Sequence, residues 1–259
     1  MRRQIYWGAA FGDNPVNNVG LSRKHIIEGV NSSLERLGLE YVDLIYAHRA
    51  DRQTPMEETV RAFNHIINTG KALYWGTSEW TAEEIASAWR YADKLGLIGP
   101  VMEQPQYNML ARQKVEGEFE RLYEEFGLGL TIFSPLKIGI LTGKYNDGIP
   151  KDSRLGTSND NFVQGMNKRI GDDSWKKDIE TVARLKPIAE KLEISQATLA
   201  MAWVLHNKNV SSAITGASRP EQVYDIVKSL DAISKLTPEV IEEIEAVLGN
   251  KPTALIRRY

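Results

Sequence analysis

Short apolar runs of β character recur along this chain with centres near Leu44, Tyr74, Met102 and Thr131. Their spacing of about thirty residues is the length of one strand-plus-helix unit. The runs are Val42-Asp43-Leu44-Ile45-Tyr46, Ala72-Leu73-Tyr74-Trp75, Val101-Met102-Glu103 and Leu128-Gly129-Leu130-Thr131-Ile132-Phe133. A fifth follows at Ser212-Ala213-Ile214-Thr215, and Arg3 to Trp7 is a sixth, fragmentary candidate. Amphipathic stretches of helical length separate them. Repetition of that unit dictates a parallel sheet.

The helix punctuation agrees with this reading. Thr54-Pro55-Met56-Glu57, Thr81-Ala82-Glu83-Glu84 and Ser218-Arg219-Pro220-Glu221 have capping-box spacing, in which hydroxyl and carboxylate satisfy the first orphan amides reciprocally. Pro55 is expected at a first helical position, where a missing N–H costs nothing. Gly38, Gly70, Gly96, Gly127 and Gly249 follow helical stretches, where a left-handed residue is expected. Between Pro135 and Asn209 lies a longer interval. It holds a glycine-rich loop through Gly156, a polar stretch from Asn159 to Asp173, and helices predicted near Lys177 to Leu192 and Gln196 to Asn207. A loop too long to be a simple connector is read as functional.

Alternating strands and helices fit either a doubly wound sheet or an eightfold barrel. The doubly wound fold calls for a Gly-x-Gly-x-x-Gly turn after an early strand. None is present, which favours the (β/α)8 barrel. Five full strands and one fragment fall short of the eight that closure requires, so the barrel is expected to be incomplete. With 42% hydrophobic and 25% charged residues, the 259-residue chain can bury a substantial core. Residues 1–259 are therefore taken as a single, partial domain.

Charge and composition narrow the function. The formal net charge is -2, with both signs interspersed, so no surface is marked out for nucleic acid. The absence of cysteine removes disulfides, thiolate nucleophiles and Cys-ligated zinc together. No apolar run has the length of a signal peptide or membrane span. A cytoplasmic protein without direct membrane insertion is expected.

In a barrel the chemistry sits just beyond the carboxyl ends of the strands. Those positions hold His48-Arg49, Ser78-Glu79, Gln104, Ser134-Pro135-Leu136 and Gly216-Ala217-Ser218. Ser218 is expected to cap a helix whose free amides, beside Gly216, offer an anion site; Arg219 and Lys144 could add cationic contacts. Taken alone, Ser218 is more often a cap with no ligand. A lone His48 is more often a satisfied core or loop histidine than a catalyst.

Taken in order, several segments resemble one family. They are Gly20-Leu21-Ser22-Arg23-Lys24-His25-Ile26-Ile27-Glu28-Gly29, Leu37-Gly38-Leu39-Glu40-Tyr41-Val42-Asp43 and Thr54-Pro55-Met56-Glu57-Glu58-Thr59. With Tyr74-Trp75-Gly76-Thr77-Ser78, Phe133-Ser134-Pro135-Leu136, Gly143-Lys144-Tyr145 and Gly216-Ala217-Ser218, they resemble the aldo-keto reductase superfamily. Within it they look closest to the potassium-channel beta-subunit branch. The resemblance runs from about Gln4 to Pro252.

The resemblance implies a (β/α)8 barrel that binds NADP(H) in an extended pose and reduces a small carbonyl substrate, an aldehyde or a ketone. By motif, Ser78 and Gln104 would hold the nicotinamide carboxamide. Phe133, Ser134, Pro135 and Leu136 would line the pyrophosphate region, with Lys144 and Arg154 closing over phosphates and adenosine. Gly216, Ser218 and Gln222 would take the 2′-phosphate, Asp225 would lie near the adenine, and Trp7 would form part of the substrate wall. Partners implied by the branch are a homo-oligomer or a channel-like protein.

Of the family's proton-transfer set, an aspartate, tyrosine, lysine and histidine, only His48 finds a match. Gln4 stands where the lysine is expected. The first two βα units, which carry the aspartate and tyrosine, are expected to be missing, so the chain reads as truncated at its N-terminus, and the alternatives to a reductase are a cofactor-binding regulatory subunit or a nonfunctional truncated product. It departs from the branch again at Glu79, in place of arginine, at Asp152, in place of an aromatic, and at Ile226, in place of asparagine.

Overall fold

The computed structural model describes residues 3–7, 19–151, 153–157, 165, 168, 170–217 and 219–253, with residues 3–7 and 154 described by their backbone alone. Two compact units emerge, residues 1–105 with 114–132, and residues 106–113 with 133–259. Among the described residues no helix is long and apolar enough to cross a membrane.

The first unit follows the strand–helix alternation set by the apolar intervals. In chain order it holds β1 (Arg3–Trp7), α1 (Arg23–Leu37), β2 (Val42–His48), α2 (Met56–Asn68), β3 (Ala72–Ser78) and α3 (Ala82–Leu95). There follow β4 (Met102–Gln104), a π-helical turn (Lys114–Glu118), α4 (Glu120–Phe126) and β5 (Gly129–Ile132). Strands β1 to β5 lie side by side in chain order, every neighbouring pair parallel. Parallel strands are covered on both faces, and accordingly Ile45, Tyr46, Ala47, Trp75, Leu130 and Ile132 are fully buried. On the helix side, Trp75 stacks on Phe63 of α2 with ring centroids 4.7 Å apart.

The other face shows that this sheet curls. Tyr46 of β2 hydrogen-bonds through its hydroxyl to Thr131 Oγ1 of β5 at 3.0 Å. Three strand spacings in a flat sheet span about 14 Å, beyond the reach of a tyrosine. Room inside the curl comes from Gly76, the register partner of both Tyr46 and Met102. A Cβ there would lie 2.4 Å from Met102 Cγ. With no side chain at Gly76, Leu44, Tyr46 and Met102 close into one apolar cluster.

The punctuation is largely as expected. Thr81 and Glu84 form a full capping box on α3, and Gly38, Gly70, Gly96, Gly127 and Gly249 all have positive φ. Thr54 is a correction: Pro55, not Thr54, holds the N-cap position of α2, without a side-chain cap bond. The Thr54 hydroxyl donates instead to Asp51 Oδ2 at 2.6 Å. Asp51 also accepts from the amides of Leu21 at 2.8 Å and Gln53 at 2.9 Å. A carboxylate so placed outcompetes a helix amide for the hydroxyl.

The second unit contains a 3₁₀ segment (Lys137–Thr142), a helical turn (Arg154–Thr157), α5 (Asp173–Lys191), α6 (Gln196–His206), β6 (Val210–Ala213), α7 (Pro220–Val227), a turn (Ser229–Ala232) and α8 (Pro238–Leu248). Most of the polar stretch expected from Asn159 to Asp173 lies outside the described residues. Its core centres on α6, where the run Thr198 to Val204 is buried. Arg112, 5% exposed, meets Glu245 of α8 in a two-pronged bond of 2.7 and 2.8 Å. It also donates to Asn250 at 3.1 Å and lies 5.0 Å from the Trp203 ring centroid. Removing one partner of such a pair strands a buried charge. Glu245→Ala is therefore expected to lower stability by about 3 kcal/mol, read from the midpoint of urea unfolding.

Candidate functional site

The register of the first unit's sheet assembles four of the expected site positions. Trp7 pairs with His48, His48 with Ser78, and Ser78 with Gln104. They form one row across the carboxyl ends of β1 to β4, although up to 97 residues separate them in sequence (7 to 104). The side chain of Trp7 lies outside the described residues. Ser78 and Gln104 are 2% and 5% exposed.

Hydrogen bonds fix this row. Ser78 Oγ donates to the Gln104 carbonyl at 3.0 Å and accepts from Arg49 Nη1 at 3.2 Å. The Arg49 amide donates to the Ser78 carbonyl at 3.1 Å. Arg49 and Glu79, the residues just beyond the strand tips, adopt left-handed φ of 69° and 60°. Such backbone in non-glycine residues costs about 1–3 kcal/mol each and persists where surrounding bonds over-determine it. Here the arginine fork and a 3.4 Å ion pair between Glu79 and Lys114 do so.

Within the row, the buried Nε2 of Gln104 has no hydrogen-bond partner among the described residues. A buried amide donor left unpaired costs about 1–3 kcal/mol. A hydroxyl has one donor and two acceptor positions, and Ser78 has committed its proton and one lone pair. What the pair still offers is the N–H donors of the Gln104 amide and one hydroxyl acceptor side by side. A primary carboxamide presents the complement, a carbonyl acceptor and an amide donor, so these residues fit a nicotinamide amide.

His48 adds a titratable group. Burial, reinforced by the Arg49 cation and opposed by Glu79, lowers its pKa from 6.5 to about 4. The folded chain therefore keeps a neutral imidazole that can accept or donate near pH 7.

The remaining predicted residues belong to the second unit. The backbone turns sharply at Ser134, with φ 57°, and the Ser134 carbonyl accepts from Asn108 Nδ2 at 3.0 Å. Phe133 accepts at its carbonyl from the Tyr107 amide at 3.3 Å. Pro135 is buried and Leu136 half-buried. Lys144 is exposed, its ammonium 4.9 Å from the Tyr145 ring centroid. A Cβ on Gly139 would lie 2.9 Å from Lys144 Nζ, so this glycine makes room for the ammonium to fold over the turn. Arg154 opens a helical turn, but its side chain lies outside the described residues.

At the expected 2′-phosphate end, Gly216 is exposed with open space where a Cβ would stand. Gln222 is half-buried on α7. Asp225 accepts from Ser195 Oγ at 2.8 Å, so its carboxylate is tied to the start of α6. The cap expected at Ser218 is corrected. Arg219 is the N-cap of α7 and makes no side-chain cap bond, while Ser218 lies outside the described residues. Pro220 takes the first helical position, and the residue before a proline is held extended, as Arg219 is at φ −141°, ψ 145°.

Two participants escaped the sequence reading, Glu103 and Lys114. The signal for Glu103 was present, an acidic residue inside the apolar run of β4. Lys114 carries no comparable signal, because only the π-helical turn aims it at Glu79.

A family profile described as "Aldo/keto reductase family" matches residues 9–248. The chain is 52% identical over 250 residues to a "Probable voltage-gated potassium channel subunit beta" of Arabidopsis thaliana, covering 96% of this chain and 73% of the relative. The same figures hold for the protein so named from Oryza sativa subsp. japonica. A "Putative voltage-gated potassium channel subunit beta" of Schizosaccharomyces pombe is 49% identical over 249 residues, covering 96% of this chain and 71% of that protein.

His48 also dictates a pH dependence. Its folded pKa lies below its unfolded one, so between about 4 and 6.5 the unfolded chain binds the extra proton. Stability present above the upper value is lost as pH falls through that window. His48→Gln should flatten the acid side of a plot of unfolding free energy against pH, while an unchanged slope would exclude a neutral buried imidazole.

Proposed function

The chain belongs to the aldo/keto reductase family, and from that premise we propose that it binds NADP(H) with the nicotinamide amide held by Ser78 and Gln104. The observation that carries this reading is the strand-tip row in which a buried amide donor without a partner sits beside a half-committed hydroxyl. Phe133, Ser134, Pro135, Leu136, Lys144 and Arg154 are proposed for the pyrophosphate and adenosine, and Gly216, Ser218, Gln222 and Asp225 for the distal end. The fold proposed is the family's (β/α)8 barrel, as one domain over residues 1–259. The curl forced by the Tyr46–Thr131 bond supports it.

Bound NADPH would supply a hydride to a small aldehyde or ketone. The neutral imidazole of His48 would orient the substrate carbonyl by hydrogen bonding, with Trp7 on the substrate wall. A matched proton donor needs a partner that lowers its pKa, and Gln4 stands where the family's lysine is expected. That substitution favours a second reading, a cofactor-binding regulatory subunit in a homo-oligomer or beside a channel-like partner. The names of the relatives point the same way.

Tryptophan fluorescence quenching by NADPH tests binding. Ser78→Ala and Gln104→Ala should each weaken it by about tenfold, the loss of one hydrogen bond of roughly 1.4 kcal/mol. Absence of quenching in the unaltered chain would reject the cofactor reading. Consumption of NADPH with 4-nitrobenzaldehyde separates the two functions: turnover supports the reductase, and binding without turnover supports the regulatory subunit.

A further inference from the structure

Behind the strand-tip row, on the face opposite Ser78 and Gln104, lies a second set of polar groups. Glu103 precedes Gln104 on β4 and is the register partner of Thr77, which precedes Ser78 on β3. Both are fully buried, and Thr77 Oγ1 donates to Glu103 Oε2. Lys114 and Glu79 both act on the Glu103 carboxyl, the former favouring its charge and the latter opposing it, while the Glu79 amide also reaches it.

Lys114 comes from the π-helical turn Lys114–Glu118. Wide turns of this kind are rare and concentrate at functional sites. This one aims Lys114 at Glu79, 3.4 Å away, and Glu118 at the Ala82 amide that opens α3, 2.7 Å away. Both bonds brace the left-handed residue Glu79 and the chain leaving it.

We infer that Glu103 is a positioning residue: bonded to Thr77 and set against the Glu79 turn, it fixes the backbone that presents Ser78 and Gln104 to the nicotinamide end of a dinucleotide. This rests on the cofactor reading above and adds to it. A glutamate inside an apolar strand run has no packing advantage over glutamine or leucine, since burying an ionised carboxylate is expensive. Its side-chain bond is to Thr77, the residue before Ser78.

The device is sensitive to charge. Burial pushes the Glu103 carboxyl up to about 8, against the pull of Thr77 and Lys114 and with the push of Glu79. Near neutral pH it is therefore the uncharged acid, and Lys114 is left to pair with Glu79. Ionisation at higher pH sets two carboxylates against one ammonium and loosens the left-handed turn. The other titratable groups facing it are Tyr123 of α4, whose hydroxyl donates to the Val115 carbonyl at 2.8 Å and is raised well above its usual range by burial and by Glu116 and Glu103. Tyr123 therefore stays neutral throughout.

The test compares two ligands across pH, with unfolding transitions recorded at each point. NADPH carries the nicotinamide, and 2′,5′-ADP shares the adenosine and 2′-phosphate but lacks it. Between about pH 7 and about pH 9.5, the unaltered chain should lose about tenfold in NADPH affinity, one pKa unit's worth of coupling, and keep its affinity for 2′,5′-ADP. Glu103→Gln should retain NADPH binding and lose the pH dependence. Thr77→Val should weaken NADPH at neutral pH and leave 2′,5′-ADP unchanged. Equal loss of both ligands, or an unchanged pH profile in Glu103→Gln, overturns the role given to Glu103 while leaving cofactor binding intact. Failure of the unaltered chain to bind either ligand near pH 7 overturns both.

Discussion

Everything in the candidate site depends on in-register parallel pairing between β2, β3 and β4. Side chains of a strand alternate between faces, so a one-residue slip would send every group to the opposite side. With His48 opposite Ser78 and Ser78 opposite Gln104, these three share one side, and Thr77 and Glu103 share the other. The register is held by bulk on both faces. Trp75 stacks on Phe63 outside the sheet, while Tyr46 and Met102 close over Gly76 inside it. A slipped strand would place a side chain of Trp75 size where only a hydrogen fits.

The backbone at the tips carries strain that the network repays with orientation. Left-handed Arg49 and Glu79 direct their own side chains back toward the row, so the arginine fork reaches the Ser78 hydroxyl. The same two charges act on His48 in opposite directions. Glu79 is itself paired with Lys114 at 3.4 Å.

The strands and most helices were legible because they rest on local pattern. All four equally spaced strand centres fall inside observed strands, and the Thr81 box and the five glycines have the expected conformations. The failures are where a neighbouring residue overrode the motif. Thr54 met the spacing of a capping box, but Asp51, three residues earlier and anchored by the Leu21 amide, took its hydroxyl. At Ser218 the motif was right about a helix start and wrong about its cap, because proline fixed the entry one residue later. Ser78, Gln104 and His48 were legible as strand-end polar residues. Glu103 was passed over because period and hydrophobicity assign a strand without asking which face a single polar residue takes.

Glu103 and His48 show one physical cause producing opposite outcomes. Burial disfavours charge in both, so the acid is pushed up to about 8 and the base down to about 4. Both groups at the strand tips are consequently uncharged around neutrality. Their neutral window is bounded below by the imidazole and above by the carboxyl. Inside it, the formal charges at the tips are Arg49, which donates to Ser78, and the paired Glu79 and Lys114. The cation nearest the row is already engaged by Ser78, so recognition at Gln104 falls to hydrogen-bond complementarity. That suits a neutral carboxamide better than a charged group, because two directional bonds made in a desolvated site discriminate by shape and donor–acceptor order, which a point charge does not.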